Sequence, residues 1–447
     1  MIISQNKPKY AFVLGHCPEL SRAEIIRTLE HENIDFRPVF SNQQLFIIET
    51  NDQLEASKLQ ERLGGTVKIL RITHHPPATL RLPEMPSWQA GVAMRAGESR
   101  SALREAKGSK LEEVIKEIII KRLPFGFAQG EKDLKIKDKK FQFGFSYYGK
   151  GQLLDLQRIG LKIKKELKEQ GVQSRFIVSK EPGLSSVIVQ KERLIDRGVD
   201  VVIIQAANQY YVGYTVSVQK FEEYSRRDYG RPSRDDKSGM LPPKLAKIML
   251  NLSQTDFNQT ILDPFCGSGT VIQEALFMGY KNIIGSDISE KAVKDSQNNI
   301  NWFKIKYGLD ISGVKIYQLD ATQLSKKIAM ELVDCIVTEP YLGPAEKSLK
   351  FQVSNIISGL SELYLKTFAE FYKVLKRGGK IVIIFPMIDS QRLAILDKIE
   401  DSLLRFSSYG GQEGLRVDKL SDTPRGSLIY SRPKQKVLRE IFVFKKE

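Results

Sequence analysis

Apolar and polar positions divide the first 72 residues into six short elements. Tyr10–Gly15 reads as a strand, and Leu20, Ala23 and Ile26 recur at helical spacing within Glu19–Leu29. Ile34–Phe40 and Leu45–Glu49 are strand-like, Leu54–Leu63 is helical, and Thr66–Ile72 is a strand dense in β-branched residues. The order β-α-β-β-α-β predicts a ferredoxin-like module over residues 1–75. Regularity lapses over 76–110, where Pro76, Pro77, Pro83 and Pro86 interrupt any element, so this stretch reads as a linker or insertion. A second irregular piece, Pro124 to Lys140, carries the run KDLKIKDKK; it reads as a solvated loop or as part of a basic, RNA-facing surface.

Between these pieces and residue 220 lies a second α/β unit, assigned to 111–220. It has a helix over Leu111–Lys121, a strand FQFGFSYY from Phe141, and an amphipathic helix Leu153–Leu167 with Lys162, Lys164, Lys165 and Lys168 on or beside its polar face. Ser174–Val178, Ser186–Val189, Val201–Ile204 and Tyr211–Val218 read as strands. Residues 221–243 are polar, basic and proline-bounded, which predicts a connection.

From 244 to 447 strand and helix alternate. Strands are expected at Thr260–Pro264, Asn282–Ser286, Val314–Gln318, Cys335–Thr338 and Lys380–Phe385. The intervening helices are Val271–Met278, Lys291–Tyr307 and Val353–Leu375, followed by Gln391–Leu404. That alternation predicts an α/β, doubly wound parallel sheet. Ser427–Tyr430 and Leu438–Phe444 are expected to close it as an antiparallel pair.

A chain of 447 residues exceeds one core and divides into about three domains. No apolar run approaches the roughly 20 residues of a membrane helix, and MIISQNKPKY has no signal-peptide pattern, so a cytoplasmic protein without a membrane partner is expected. Three cysteines (Cys17, Cys266, Cys335) and four histidines show no metal-ligand spacing, so no metal is expected. A formal charge of +16 favours a polyanionic partner, most often nucleic acid.

The candidate chemistry sits where expected strands end. The first runs into Asp263-Pro264-Phe265-Cys266-Gly267-Ser268-Gly269-Thr270, glycines that permit a sharp turn and close ligand approach. The second ends at Asp287-Ile288, a carboxylate for two ribose hydroxyls, and the third at Asp320-Ala321, near an adenine amine. A dinucleotide fits the interval from Gly269 to Asp287, but Ile272 replaces the fingerprint's third glycine and Asp263 would repel a pyrophosphate. S-adenosyl-L-methionine, with its amino group and sulfonium, suits Asp263 better.

The fourth strand leads into Thr338-Glu339-Pro340-Tyr341-Leu342-Gly343-Pro344. DPFCGSGT, GSDIS, LDAT and TEPYLGP together resemble the amino-methyltransferases, whose motif here is (Asp/Asn/Ser)-Pro-Pro-(Tyr/Phe/Trp). The resemblance implies catalytic roles for Glu339, Pro340 and Tyr341. Oxygen acceptors draw a conjugated amine nitrogen toward sp³ while an aromatic ring stacks on the extruded base. Here glutamate replaces the short residue, and a single proline precedes the tyrosine. Methylation of pyrimidine C5 needs a cysteine nucleophile, and none follows Pro340.

YAFVLGHCPELSRAEI, RIGLKIKKELKEQG and RRDYGRPSRDDKSGMLPPKLAKIMLNL are similar to THUMP-domain tRNA guanine-N2 methyltransferases, which modify guanosine 10. The resemblance implies ferredoxin-like and THUMP-like modules, a linker and a Rossmann-type methyltransferase domain, with tRNA as partner. Arg226, Arg227, Arg231 and Arg234 are expected to face RNA, their alternative being solvated surface charge. Rival readings are a ribosomal RNA or DNA amine methyltransferase and a noncatalytic tRNA-binding protein.

Overall fold

The computed structural model describes residues 7–74, 100–123, 140–150, 155–206, 209–234, 240–343, 353–388, 391–393, 395–396, 399, 414–432, 435 and 437–447. They form two compact units. One comprises described residues within 1–14, 35–60 and 66–219; the other those within 15–34, 61–65 and 220–447.

The chain runs through β1 (Lys9–Leu14), α1 (Pro18–His31), β2 (Phe36–Ser41), β3 (Leu45–Thr50), α2 (Ala56–Arg62) and β4 (Thr66–His74). It continues through α3 (Arg100–Lys121), β5 (Phe141–Tyr148), α4 (Leu156–Glu169), β6 (Ser174–Ile177), α5 (Ser186–Lys191), β7 (Gly198–Ala206) and β8 (Gln209–Val218). All eight strands lie in one sheet, in the order β2-β3-β1-β4-β8-β7-β5-β6. The first four keep the strand order of a ferredoxin-like module, but β4 pairs with β8 from Lys68↔Val218 to His74↔Val212. Pairing the two modules' edges covers backbone donors that either module alone would expose.

Two expectations for this unit change. The strand expected at Ser186–Val189 is helix α5, started by the Ser185 hydroxyl, which accepts from Ile188 N at 3.2 Å. A cap thus overrides the β-branched residues that suggested extended backbone. Helix α3 begins at Arg100, inside the expected linker, while 75–99 and 124–139 lie outside the described residues.

A buried polar knot ties β4, β5, β7 and β8. Asp200 accepts from Lys68 Nζ at 2.9 Å, from Ser146 Oγ at 2.7 Å and from Thr215 Oγ1 at 2.6 Å, and Ser146 Oγ accepts from Leu184 N at 3.0 Å. Removing one partner strands the other charge without water. Lys68→Met should therefore cost about 3–5 kcal/mol, read by urea unfolding, whereas Lys68→Met with Asp200→Leu should recover much of the loss.

The second unit adds α6 (Phe221–Tyr229), α7 (Pro243–Ser253), β9 (Thr260–Asp263), α8 (Thr270–Met278), β10 (Asn282–Asp287), α9 (Glu290–Tyr307), β11 (Val314–Gln318) and β12 (Val333–Thr338). Then come α10 (Val353–Val374), β13 (Leu375–Ile388), β14 (Gln391–Arg392), β15 (Leu415–Val417), β16 (Leu428–Tyr430) and β17 (Val437–Lys446). The sheet order is β11-β10-β9-β12-β13-β17-β15, with β14 on β13 and β16 on β17. Strands β9 to β13 are mutually parallel, β17 is antiparallel, and the order reverses beside β9. That reversal opens the ligand crevice at the strands' carboxyl ends.

The expected closing pair exists as β16 and β17, with β17 inside the sheet. Of the helix expected at Gln391–Leu404, Gln391 and Arg392 instead pair with Ile388 and Met387; most of the remainder lies outside the described residues. Helix α6 occupies the first half of the expected 221–243 connection. The module boundary at 75 also differs from the observed division, because α1 clusters with the second unit. Glu24 of α1 accepts from Gly64 N, Gly65 N and Asn251 Nδ2 at 2.7, 2.8 and 2.7 Å, fastening α1 to α7. Among the described residues no helix is long and apolar enough to cross a membrane.

Candidate active site

Strand β9 delivers Asp263 to a turn that reverses into α8. Gly267 and Gly269 have φ of +50° and +85°, left-handed values that glycine adopts without a Cβ clash. A Cβ at Gly269 would come 2.5 Å from Ser296 Oγ, whereas one at Gly267 would meet nothing within 4 Å. Packing therefore demands Gly269, while the backbone at Gly267 faces open space. Cys266 N donates to Ser286 O at 2.8 Å, setting the turn against β10.

Asp287 ends β10 half-buried, its Oδ2 accepting from Gly267 N at 3.0 Å and its Oδ1 from Ser289 N at 2.9 Å. Two of about four lone-pair positions are used, so capacity remains for hydroxyl donors. Ile288 beside it is exposed. Leu319 N donates to Asp287 O, which brings the end of β11 alongside. There Asp320 Oδ1 accepts from Thr322 N and Oγ1, both at 2.8 Å, and Ala321 is buried.

Asp263 is buried; its Oδ1 accepts from Thr338 Oγ1 at 2.7 Å and from Phe265 N at 3.3 Å. Burial, with the negative charges of Asp287 and Glu339, pushes its carboxyl up to about 7 against those two bonds. Thr338 is the last residue of β12, so this bond couples the glycine turn to the Glu339-Pro340-Tyr341 loop. Pro340 is buried, while Tyr341 is 57% exposed. The Tyr341 carbonyl accepts from Tyr364 Oη at 2.7 Å, and Tyr364 stacks on Phe385 with centroids 5.4 Å apart. The loop backbone is thus anchored while the ring stays free to stack.

Glu339 has a partner that sequence reasoning did not foresee. Arg439 of β17 donates through Nε to Oε1 at 2.5 Å, with a second nitrogen 3.5 Å from Oε2. Burial raises the Glu339 carboxyl, opposed by that guanidinium. Nothing in sequence joins residues 100 positions apart on non-neighbouring strands.

Two expected RNA contacts are corrected. Arg227 is buried and grips Glu274 through Nε and a terminal nitrogen at 2.6 and 3.2 Å, beneath the Tyr224 and Phe277 rings. Arg231 is buried too, donating to Thr270 Oγ1 at 2.7 Å. Both are spent inside the unit, holding the connection against α8. Arg226 pairs with Glu223 and is exposed, and exposed Arg234 lies over the Tyr229 ring. Asn299, also unforeseen, bridges Ser233 O and Ser268 O at 2.8 Å each. Its one legible signal is a polar residue on the apolar face of α9. Cys335 is buried and its thiol is pushed up to about 11, unlike an activated nucleophile. Among the described residues no cluster of His, Cys, Asp or Glu suits a metal ion.

The donor set fits S-adenosylmethionine. Open backbone at Gly267, a buried acid for an amino group, and carboxylates ending β10 and β11 match its parts. Fold and site define a Rossmann-type methyltransferase domain, a class that takes its methyl group from S-adenosylmethionine.

A family model described as an RMKL-like methyltransferase domain matches residues 231–401, and a DNA methylase model matches 154–298. The tRNA (guanine(10)-N2)-dimethyltransferase of Methanocaldococcus jannaschii is 30% identical over 42% of this chain and 49% of its own. A protein named a probable tRNA (guanine(10)-N2)-dimethyltransferase, from Methanothermococcus thermolithotrophicus, is 32% identical over 34% of this chain and 90% of its own. The crystal structure of TrmN from Thermus thermophilus aligns with TM-score 0.52 and 15% identity, over 98% of this chain and 100% of that one, a likeness of fold. The chain belongs to the tRNA guanine-N2 methyltransferase family. It spans about half the length of the Methanocaldococcus and Pyrococcus abyssi relatives, at 49% and 50%.

If ionised Asp263 meets the cofactor's amino group, affinity should rise with pH and level off above about 7, where the carboxyl has lost its proton. Below that the slope should approach tenfold per pH unit. Calorimetry from pH 5.5 to 7.5 checks this; Asp263→Asn should flatten the curve, and a flat wild-type curve refutes the role.

Proposed function

We propose that this chain is a tRNA guanine-N2 methyltransferase, transferring a methyl group from S-adenosylmethionine to the exocyclic amine of the guanosine at position 10. The observation that carries the reading is Glu339-Pro340-Tyr341 at the end of β12, hydrogen-bonded through Thr338 to the acid that opens the glycine turn. Names of the relatives supply the substrate class; the +16 charge and exposed Lys164, Lys165 and Lys168 along α4 suit a tRNA partner. A cytoplasmic site of action goes with that substrate.

Asp263, Pro264, Phe265, Gly267, Gly269, Thr270, Asp287, Ile288, Asp320 and Ala321 would hold the cofactor, which when bound supplies an electrophilic methyl group. Glu339 takes an N–H bond from the amine and draws its nitrogen toward sp³. Tyr341 stacks on the base, which must leave its helix to reach the crevice. As the nitrogen gains carbon it sheds a proton, for which Glu339 is the carboxylate in the base-binding loop.

A DNA amine substrate is the second reading, favoured by the DNA methylase match over 154–298. That match stops before Glu339 and leaves out the base-binding loop. Nucleoside mass spectrometry after incubation with labelled cofactor and unmodified tRNA, ribosomal RNA or duplex DNA separates the readings. N2-methylated guanosine at tRNA position 10 is the expected product; methylated DNA adenine or cytosine, or no product, overturns it.

In single-turnover transfer, Glu339→Ala should lose about 100-fold or more with cofactor affinity little changed, and Glu339→Gln should lose less because its oxygen still accepts. Tyr341→Ala should cost roughly 1–3 kcal/mol from lost stacking. Wild-type rates in Glu339→Ala refute its role.

A further inference from the structure

We propose that Arg439 is a positioning residue for base methylation, holding Glu339 so that one carboxylate oxygen, Oε2, is presented to the target amine. The proposal rests on the reading of Glu339 as the amine's acceptor.

Glutamate has one more rotatable bond than the aspartate or asparagine common at this place, so its carboxylate needs an external restraint to sit in one place. Arg439 supplies it from β17, two strands from β12 in the sheet. Side-chain exposures of 9% for Arg439 and 11% for Glu339 leave little room for water to hold either group. The two contacts are unequal. Nε engages Oε1 at 2.5 Å, whereas the nitrogen facing Oε2 stands 3.5 Å away, at the limit of hydrogen bonding. Oε1 is therefore committed to the protein and Oε2 keeps its accepting capacity. Arginine suits the task because it does not lose its proton in the working pH range.

The other ionisable groups facing Glu339 are Asp263 from β9 and Tyr364 from α10. Asp263 opposes ionisation of Glu339 when charged, and burial raises the Tyr364 hydroxyl so that it stays neutral. Removing the guanidinium therefore leaves burial unopposed and moves Glu339 toward its protonated form.

The test compares wild type, Arg439→Gln and Arg439→Lys at saturating S-adenosylmethionine and unmodified tRNA. Arg439→Gln should lower kcat about 100-fold, with KM for tRNA within about threefold, and move the acid limb of the kcat–pH profile upward by a unit or more. Arg439→Lys should restore part of kcat and most of the limb, since charge returns without the fork. A purely structural pair would move neither limb nor the ratio of kcat to KM. Titration of 13C-glutamate-labelled protein, with the Glu339 signal assigned through Glu339→Gln, gives a readout without turnover. Arg439→Gln should shift that signal to higher pH, and an unmoved titration or an unchanged kcat overturns the positioning role while leaving an active enzyme. If wild type transfers no methyl group to tRNA although the titration shifts, the functional reading fails and the positioning role falls with it.

Discussion

Crowding of carboxylates at one end of a sheet is the constraint on which this site depends. Asp263, Asp287, Asp320 and Glu339 all stand at or just past the carboxyl ends of β9, β10, β11 and β12. Unrelieved, such acids repel one another and resist burial. The chain relieves each differently. Asp287 accepts backbone N–H groups from its own turn and from the glycine turn after β9, Asp320 accepts one from the turn it opens, Asp263 takes a hydroxyl and remains high in pKa, and Glu339 takes a full cation. The graded treatment leaves Asp263 sensitive to charge near neutrality, where a cationic ligand has most to gain.

The basic connection before α7 serves that crevice from behind. Arg227 and Arg231 look like surface charge in sequence, yet they are buried against Glu274 and Thr270 of α8. Asn299 adds the carbonyls of Ser233 and Ser268. A segment outside the alternating core thus braces the glycine turn through three separate contacts. Burying an arginine is tolerable because Glu274 meets its fork with both oxygens and two aromatic rings cover it. Once RNA contact is withdrawn from these two, Arg226 and Arg234 stay on the surface.

Local signals made the second unit's sheet readable. Strands β9, β10, β11 and β12 are short, and each has an acid at or just past its end, so pattern located strand and ligand residues together. Where tertiary contacts decide, pattern failed. Ser186–Val189 has strand composition but takes a helix because Ser185 caps it. The ferredoxin-like elements were legible one by one, yet neither the β4–β8 pairing nor the allegiance of α1 to α7 has a sequence period. The least legible feature is the Arg439–Glu339 pair, since a lone arginine in an apolar strand carries no mark of what it faces.

That pair changes the meaning of the departure at residue 339. From sequence, glutamate in place of a shorter acid looks like an acceptor displaced by a methylene. In the structure the glutamate carboxylate meets a cation on β17, and a shorter acid would draw back from that buried guanidinium and weaken the pair. Shortening residue 339 alone would thus break the ion pair, and position 339 has to be read with 439 as a single unit of the base-binding loop.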